Sequence, residues 1–306
     1  MSTLSLVMNV RNAEDTLERA LRSAQALADE IIIMDMESTD RTVEIAQAFT
    51  SKIFSHSNLQ YADPARNLAI KEASCDWVLV LDADEWLTPS LIEKIQHITQ
   101  DSHSADCYSF PRKNYIWGKW IQHTGWWPDH QLRLFRNGQA KWQGDIHQKA
   151  TPLGSHIELE ATEENAISHD NYPTVEQFLE RLNQYTSIQA SQEKKTQSFT
   201  SSDALLRFFS EFMRRYFALE GYKDTQRGTS LSLLQGMYEL VVALKSAEAK
   251  ELLDSSEKSD TAQTLHRISL ELMYWSHHMQ AQQGKSIQKI WHTLLKKLIA
   301  LFIKFS

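Results

Sequence analysis

The chain has 306 residues, 42% hydrophobic and 23% charged, a composition that excludes wholesale disorder and suits one large domain with an appendage or two modest domains. Its formal net charge of −7 offers no global basic field for nucleic acid, and its two cysteines, Cys75 and Cys107, have neither metal-ligand spacing nor the numbers for a disulfide framework. No basic-then-apolar leader and no run of about 18 apolar residues occurs, so neither a secretory signal nor a transmembrane helix is expected, and the cytoplasm is the default compartment.

Residues 4–8 predict a first strand, leading through Val10-Arg11-Asn12 into a helix with Leu17, Ala20, Leu21, Ala24 and Leu27 at three- and four-residue intervals. A second strand, 31–34, ends in Asp35, and Ser38-Thr39-Asp40 supplies cap chemistry for a short helix carrying Val43 and Ala46. A weaker strand at 52–54 precedes a helix opened by Asp63-Pro64. Then comes Trp77-Val78-Leu79-Val80-Leu81, an apolar run short enough to be a strand buried on both faces, and after it a helix capped by Thr88-Pro89. This alternation implies a right-handed parallel α/β sheet.

After Asp106 the character changes: five of the nine tryptophans (Trp117, Trp120, Trp126, Trp127 and Trp142) fall within residues 106–148. Such rings suit the C–H faces of sugars, and equally suit a core, where Trp is usually largely buried. From Val175 the pattern is helical, broken by a polar linker at 189–202. Helices follow over about 205–216, 230–246 and 263–279, and a last one from Ser286. The last combines Ile290, Trp291, Leu294 and Leu298 with Lys289, Lys296, Lys297 and Lys304, which suits the interface of an anionic membrane, with a partner helix or self-association as the rival. Two regions are expected, 1–190 and 191–306.

The chemistry gathers where the strands end. Asp82-Ala83-Asp84 follows the buried strand, and two carboxylates at the carboxyl edge of a sheet are most simply explained by a divalent cation, Mg²⁺ or Mn²⁺, shared with substrate phosphates. An EF-hand calcium loop needs Asp or Asn and then Gly where Trp86 and Leu87 stand. An aspartyl phosphatase would carry the pair on its first strand. Asp35 and Asp40 have the plainer reading of helix caps.

Residues 4–148 resemble the family 2 inverting glycosyltransferases of the GT-A fold. The resemblance is carried by Val10-Arg11-Asn12, by Met34-Asp35-Met36-Glu37-Ser38-Thr39-Asp40, by Ala65-Arg66-Asn67 and by Leu81-Asp82-Ala83-Asp84-Glu85. Phe110-Pro111-Arg112-Lys113-Asn114-Tyr115, Gly125-Trp126-Trp127-Pro128-Asp129 and Gln131-Leu132-Arg133-Leu134-Phe135 resemble the branch holding lipopolysaccharide-core β-1,4-glucosyltransferases. The resemblance implies a nucleotide-sugar site from Val10, Arg11, Asn12, Asp35, Ser38, Asp40, Arg66, Asp82, Ala83 and Asp84. It also implies a divalent metal held by Asp82 and Asp84 with His147 as a further ligand, and an acceptor or sugar side from Arg112, Lys113, Trp126, Trp127 and Arg133. Inversion needs one base, and Asp129 is the first choice, with Asp145 an alternative. His147 stands where relatives often carry His-Glu, but Gln148 follows it here, and Ala13 departs from the usual Asn-Glu.

The function implied is transfer of a sugar from a nucleotide-diphosphate donor to a hydroxyl of a lipid-linked glycan or lipopolysaccharide core, at the inner face of the cytoplasmic membrane. A polyprenyl-phosphate acceptor, or a catalytically silent assembly factor that binds nucleotide sugar or membrane, is the alternative. A homo-oligomer is compatible with the sequence; nucleic acid is not an expected partner.

Overall fold

A computed structural model of the chain describes residues 2–57, 63–142, 150–193, 199–253, 260–283 and 286–305. The chain forms two compact units, one of residues 1–122 and 126–175, the other of residues 123–125 and 176–306.

The first unit opens with β1 (Leu4–Val10), α1 (Leu17–Ala24), β2 (Glu30–Asp35), α2 (Thr42–Gln47), β3 (Ile53–Ser55), α3 (Asp63–Lys71) and β4 (Trp77–Val80). The four strands pair in parallel in the order β3-β2-β1-β4, as strand–helix alternation requires. Period-two alternation assigns the two faces of the sheet. Leu6, Met8, Val10, Leu79 and Leu81 enter one core with Leu17 and Leu21 of α1, whereas Val7, Val78 and Val80 enter a second core with Ala69 of α3. All four residues of β4 are buried on this two-sided arrangement.

β5 (Glu85–Trp86), α4 (Pro89–Gln100), β6 (Cys107–Phe110), β7 (Arg112–Ile116), β8 (Lys119–Trp120) and β9 (Gln131–Arg136) follow. Thr88 caps α4 as expected, its Oγ1 accepting from Leu91 N at 3.3 Å with Pro89 in the first turn. The expectation of a wholly parallel sheet is corrected here: β9 lies antiparallel between β4 and β6. Beyond α4 no helix intervenes between successive strands, so the constraint that enforces parallel pairing is gone. β10 (Ala140–Lys141), β11 (Thr151–Pro152), β12 (His156–Glu158) and β13 (Ile167–Tyr172) complete the unit. The main sheet runs β12-β6-β9-β4-β1-β2-β3, and a second sheet runs β5-β13-β7-β8.

The second unit is helical. It contains α5 (Val175–Gln192, from its second residue), α6 (Ser201–Met213), α7 (Thr225–Ala249), α8 (Thr261–Gln283) and α9 (Ser286–Phe305). Thr200 and Asp203 form a reciprocal capping box at α6. Phe208, Phe212 and Tyr216 stack in near-parallel pairs, and Phe217 stacks on Trp275 of α8. The α/β class with a C-terminal helical extension, expected from the sequence, is the fold adopted.

Candidate active site

Parallel register brings the ends of β1 and β2 together, Val10 opposite Asp35, so the first two motifs share one edge. Beyond the strands, Asn12 and Glu37 adopt positive φ (46° and 59°), a cost that persists where surrounding bonds fix it. Those bonds are present: Asn12 N donates to Ser38 Oγ (3.0 Å), Thr39 N to Asn12 Oδ1 (2.8 Å), and Ser38 N to the buried Asp35 carboxylate (3.3 Å). Asp40 accepts from Thr42 N at 3.0 Å and from Glu14 N at 3.1 Å, tying the start of α2 to the segment before α1. Its role in the fold is therefore the cap-like one. Arg11 and Asn12 stand exposed at the rim, and Ala83 packs against the core.

Asp82-Ala83-Asp84 is the hinge between the two sheets: β4 ends at Val80 and β5 begins at Glu85. Asp82 Oδ1 accepts from Arg66 of α3 and Oδ2 from Arg133 of β9, each at 2.5 Å. Burial pushes the Asp82 carboxyl upward, but the Arg133 and Arg66 guanidiniums hold it far below the usual carboxylate range. Glu85 has no exposed surface; its Oε1 accepts from Arg133 at 2.6 Å and Arg112 at 3.4 Å, and its Oε2 accepts from Asp82 N at 3.0 Å. Asp129 Oδ2 accepts from Arg112 Nε (2.9 Å) and Nη2 (2.5 Å), and its Oδ1 from Gln131 Nε2 (2.8 Å). Burial opposes ionisation there too, and Arg112, then Gln131 and Asn114, outweigh it and lower its pKa. Three carboxylates (Asp82, Glu85, Asp129) thus meet three guanidiniums (Arg66, Arg112, Arg133) in one network of ion pairs.

One residue of this site escaped the sequence reading. His169 is buried on β13, paired across the second sheet with Glu85, and its Nε2 stands 3.5 Å from Asp84 Oδ1. Asn114, fully buried on β7, donates from Nδ2 to Trp126 O (2.8 Å), which fixes its amide so that Oδ1 faces His169 Nδ1 at 2.6 Å. The Nδ1 contact turns Nε2 toward the Asp84 carboxylate, so that the two groups could close on one cation. A histidine that donates its far N–H to an amide oxygen is the usual support of a metal ligand. Asp84 and His169 thus fit a divalent metal, whereas both Asp82 oxygens are already committed to arginines. Among the described residues no three His, Cys, Asp or Glu side chains converge to hold an ion, which leaves substrate phosphate oxygens as the remaining ligands. The only sequence signal for His169 was a histidine alternating with buried residues in a strand, with no fixed spacing to Asp84. His147 and Asp145 lie outside the described residues.

The aromatic segment divides in two. Trp142 is core: it is buried, packs at 5.7 Å on Phe135, and its backbone N–H and C=O both bond to the side-chain amide of Asn67. Trp120 and Trp127 meet edge-to-face at 5.1 Å, Trp126 meets Tyr172 at 6.0 Å, and the Lys113 ammonium sits 4.3 Å above the Trp120 ring. The indole nitrogens of Trp120 and Trp126 are buried without a hydrogen-bond acceptor among the described residues. The site therefore brings together Asp82, Asp84, Arg66, Arg112, Arg133, Asp129 and Trp126 through shared bonds, with Val10, Asn12, Asp35 and Ser38 forming the neighbouring rim.

The family described as Glycosyl transferase family 2 matches residues 5–152. The uncharacterised glycosyltransferase RT0209 of Rickettsia typhi is 29% identical over 248 residues, covering 74% of this chain and 82% of that protein. A counterpart from Rickettsia felis is 28% identical over 247 residues, covering 74% and 85%. Among solved structures, S. aureus TarS 1–349 in complex with UDP is similar over 84% of this chain and 94% of its own, at 13% identity and a TM-score of 0.41.

Proposed function

We propose that this chain, whose residues 5–152 match the family 2 glycosyltransferase model, is a metal-dependent inverting enzyme of the lipopolysaccharide-core or lipid-linked glycan type. It moves a sugar from a nucleotide-diphosphate donor to a hydroxyl of the acceptor at the inner face of the cytoplasmic membrane. The observation that carries the metal dependence is the Asp84–His169 pair, with its ring oriented by Asn114.

In this reading Asp84 and His169 hold Mg²⁺ or Mn²⁺. A cation held there would supply positive charge against that growing on the departing diphosphate. Asp82 acts through Arg66 and Arg133, fixing both guanidiniums at the edge where Asn12, Asp35 and Ser38 receive the nucleoside. Arg112 and Glu85 fix the Oδ2 side of Asp129. Its Oδ1, held among the described residues by the neutral amide of Gln131, is the oxygen that can exchange partners and take the proton of an acceptor hydroxyl. Trp126, Trp127 and Lys113 flank that side and offer ring faces and donors to the sugars.

Asp84→Ala and His169→Ala should each lower metal-dependent transfer at least about 100-fold with the fold intact by circular dichroism. Full activity after exhaustive chelation would overturn the metal reading. Asp129→Asn should lower kcat by about 100-fold or more while leaving donor KM within a few fold. The guanidinium clamp on Asp129 favours a second reading, a polyprenyl-phosphate acceptor, since an ionised phosphate needs no base and is itself a partner for Arg112. Undiminished transfer to such a phosphate by Asp129→Asn would select that reading.

A further inference from the structure

We propose that the outward face of α9 lies in the interface of an anionic lipid bilayer. This inference rests on the functional reading only in one respect, that an acceptor carried on lipid gives the contact its use.

The inner face of α9 is defined by its bonds to α8. His292 Nδ1 meets His277 Nδ1 at 3.0 Å with the two rings stacked, Lys296 Nζ meets His278 Nδ1 at 3.0 Å, and Ile299 is buried. On the other side Ile290, Trp291, Leu294 and Leu298 are 63%, 60%, 52% and 54% exposed. At 100° per residue these four positions fall within an arc of about 100°, a continuous apolar stripe facing away from the helix that α9 already packs against. A surface helix ordinarily turns charge outward; this one turns an apolar stripe outward.

Charge selects the occupant. The 20 residues of α9 contain four lysines and no acid, in a chain whose net charge is −7. Lys297, exposed, borders the apolar stripe, and Lys304 lies seven residues further along the same helix. A second copy of α9 laid against this stripe would bring lysines toward lysines. An anionic headgroup layer instead offers acyl chains to the stripe and opposite charge to its border, with Trp291 of the residue type enriched at that depth. The geometry is that of a helix lying in the plane, since no helix among the described residues is long and apolar enough to cross a membrane.

The test is co-sedimentation of the full chain with vesicles of phosphatidylglycerol and phosphatidylcholine (1:1) and with phosphatidylcholine alone. The wild type should pellet with the anionic vesicles at least 10-fold more tightly than with the neutral ones, and Leu294→Glu/Leu298→Glu should abolish most of that difference. Asp84→Ala should pellet like wild type, and the Glu double variant should keep the Mn²⁺-dependent thermal shift with UDP, which separates failure of this proposal from failure of the catalytic one. Absence of wild-type binding to anionic vesicles would overturn the proposal. So would equal binding by the Glu double variant, or a solution dimer that this variant dissociates while wild type ignores vesicles.

Discussion

Glu85 and Arg133 illustrate how single side chains set the site. Glu85 is completely buried and Arg133 nearly so, and each is tolerated only because the other is present. Arg133→Met should therefore destabilise the protein by about 3–5 kcal/mol in urea unfolding, leaving Glu85 and Asp82 short of a counter-ion. Glu30 is a second such residue, far from the chemistry. Burial raises its pKa, but Lys52, Ser5 and Ser74 outweigh this and lower it from 4.5 to about 2. A depressed folded-state pKa means stability that is fully present above pH 4.5 and lost as pH falls toward 2, at most about 3 kcal/mol. Glu30→Gln should lose stability at pH 7 and show a flatter acid limb between those values; an unchanged acid limb would count against this assignment. At this scale Asp82, Asp84 and Asp129 were legible because their motifs are contiguous. His169 was not, because its partner Asp84 is brought to it only by pairing of β13 with β5.

Among elements, the hand-off from β4 to β5 matters most. Leu81 still belongs to the core, Asp82-Ala83-Asp84 bridges the gap, and Glu85 begins another sheet, so the two aspartates face different partners. The apolar run was readable as a doubly buried strand, and the change of sheet was not, since nothing local distinguishes Glu85-Trp86 from a loop. In the helical unit, close approach reverses an ordinary rule. A Cβ on Gly228 of α7 would stand 1.8 Å from Gly221 O, although alanine normally favours a helix interior by about 1 kcal/mol. Gly228→Ala should thus destabilise that unit by about 1–3 kcal/mol, seen as an earlier loss of ellipticity at 222 nm on urea titration. Helix existence was legible from periodicity; α7 and α8 extend several residues beyond the expected 230–246 and 263–279, because packing carries a helix past the end of its sequence pattern.

For the molecule as a whole, ligand linkage gives the broadest check. UDP with Mn²⁺ at about 100 times its Kd should add about 2.7 kcal/mol to stability, raising Tm, and Asp84→Ala should remove the Mn²⁺-dependent part. A shift that UDP produces equally with and without Mn²⁺ would contradict the pairing of Asp84 with His169 as a metal seat.

Local pattern was enough to establish the α/β class, the first four strands and their parallel sense, the carboxylates after β4 and the amphipathic character of α9. Each rests on neighbours within a few residues, where periodicity and short motifs act directly. The tertiary structure alone decided that β9 runs antiparallel, that Trp142 is core while Trp120 packs on Trp127 and Trp126 on Tyr172, and that Asp82 is committed to two arginines. It also decided that His169 stands beside Asp84. These depend on residues 16 to 85 positions apart meeting across sheets, and the physical terms that arrange them, burial of charge and satisfaction of buried polar groups, leave no imprint on local sequence.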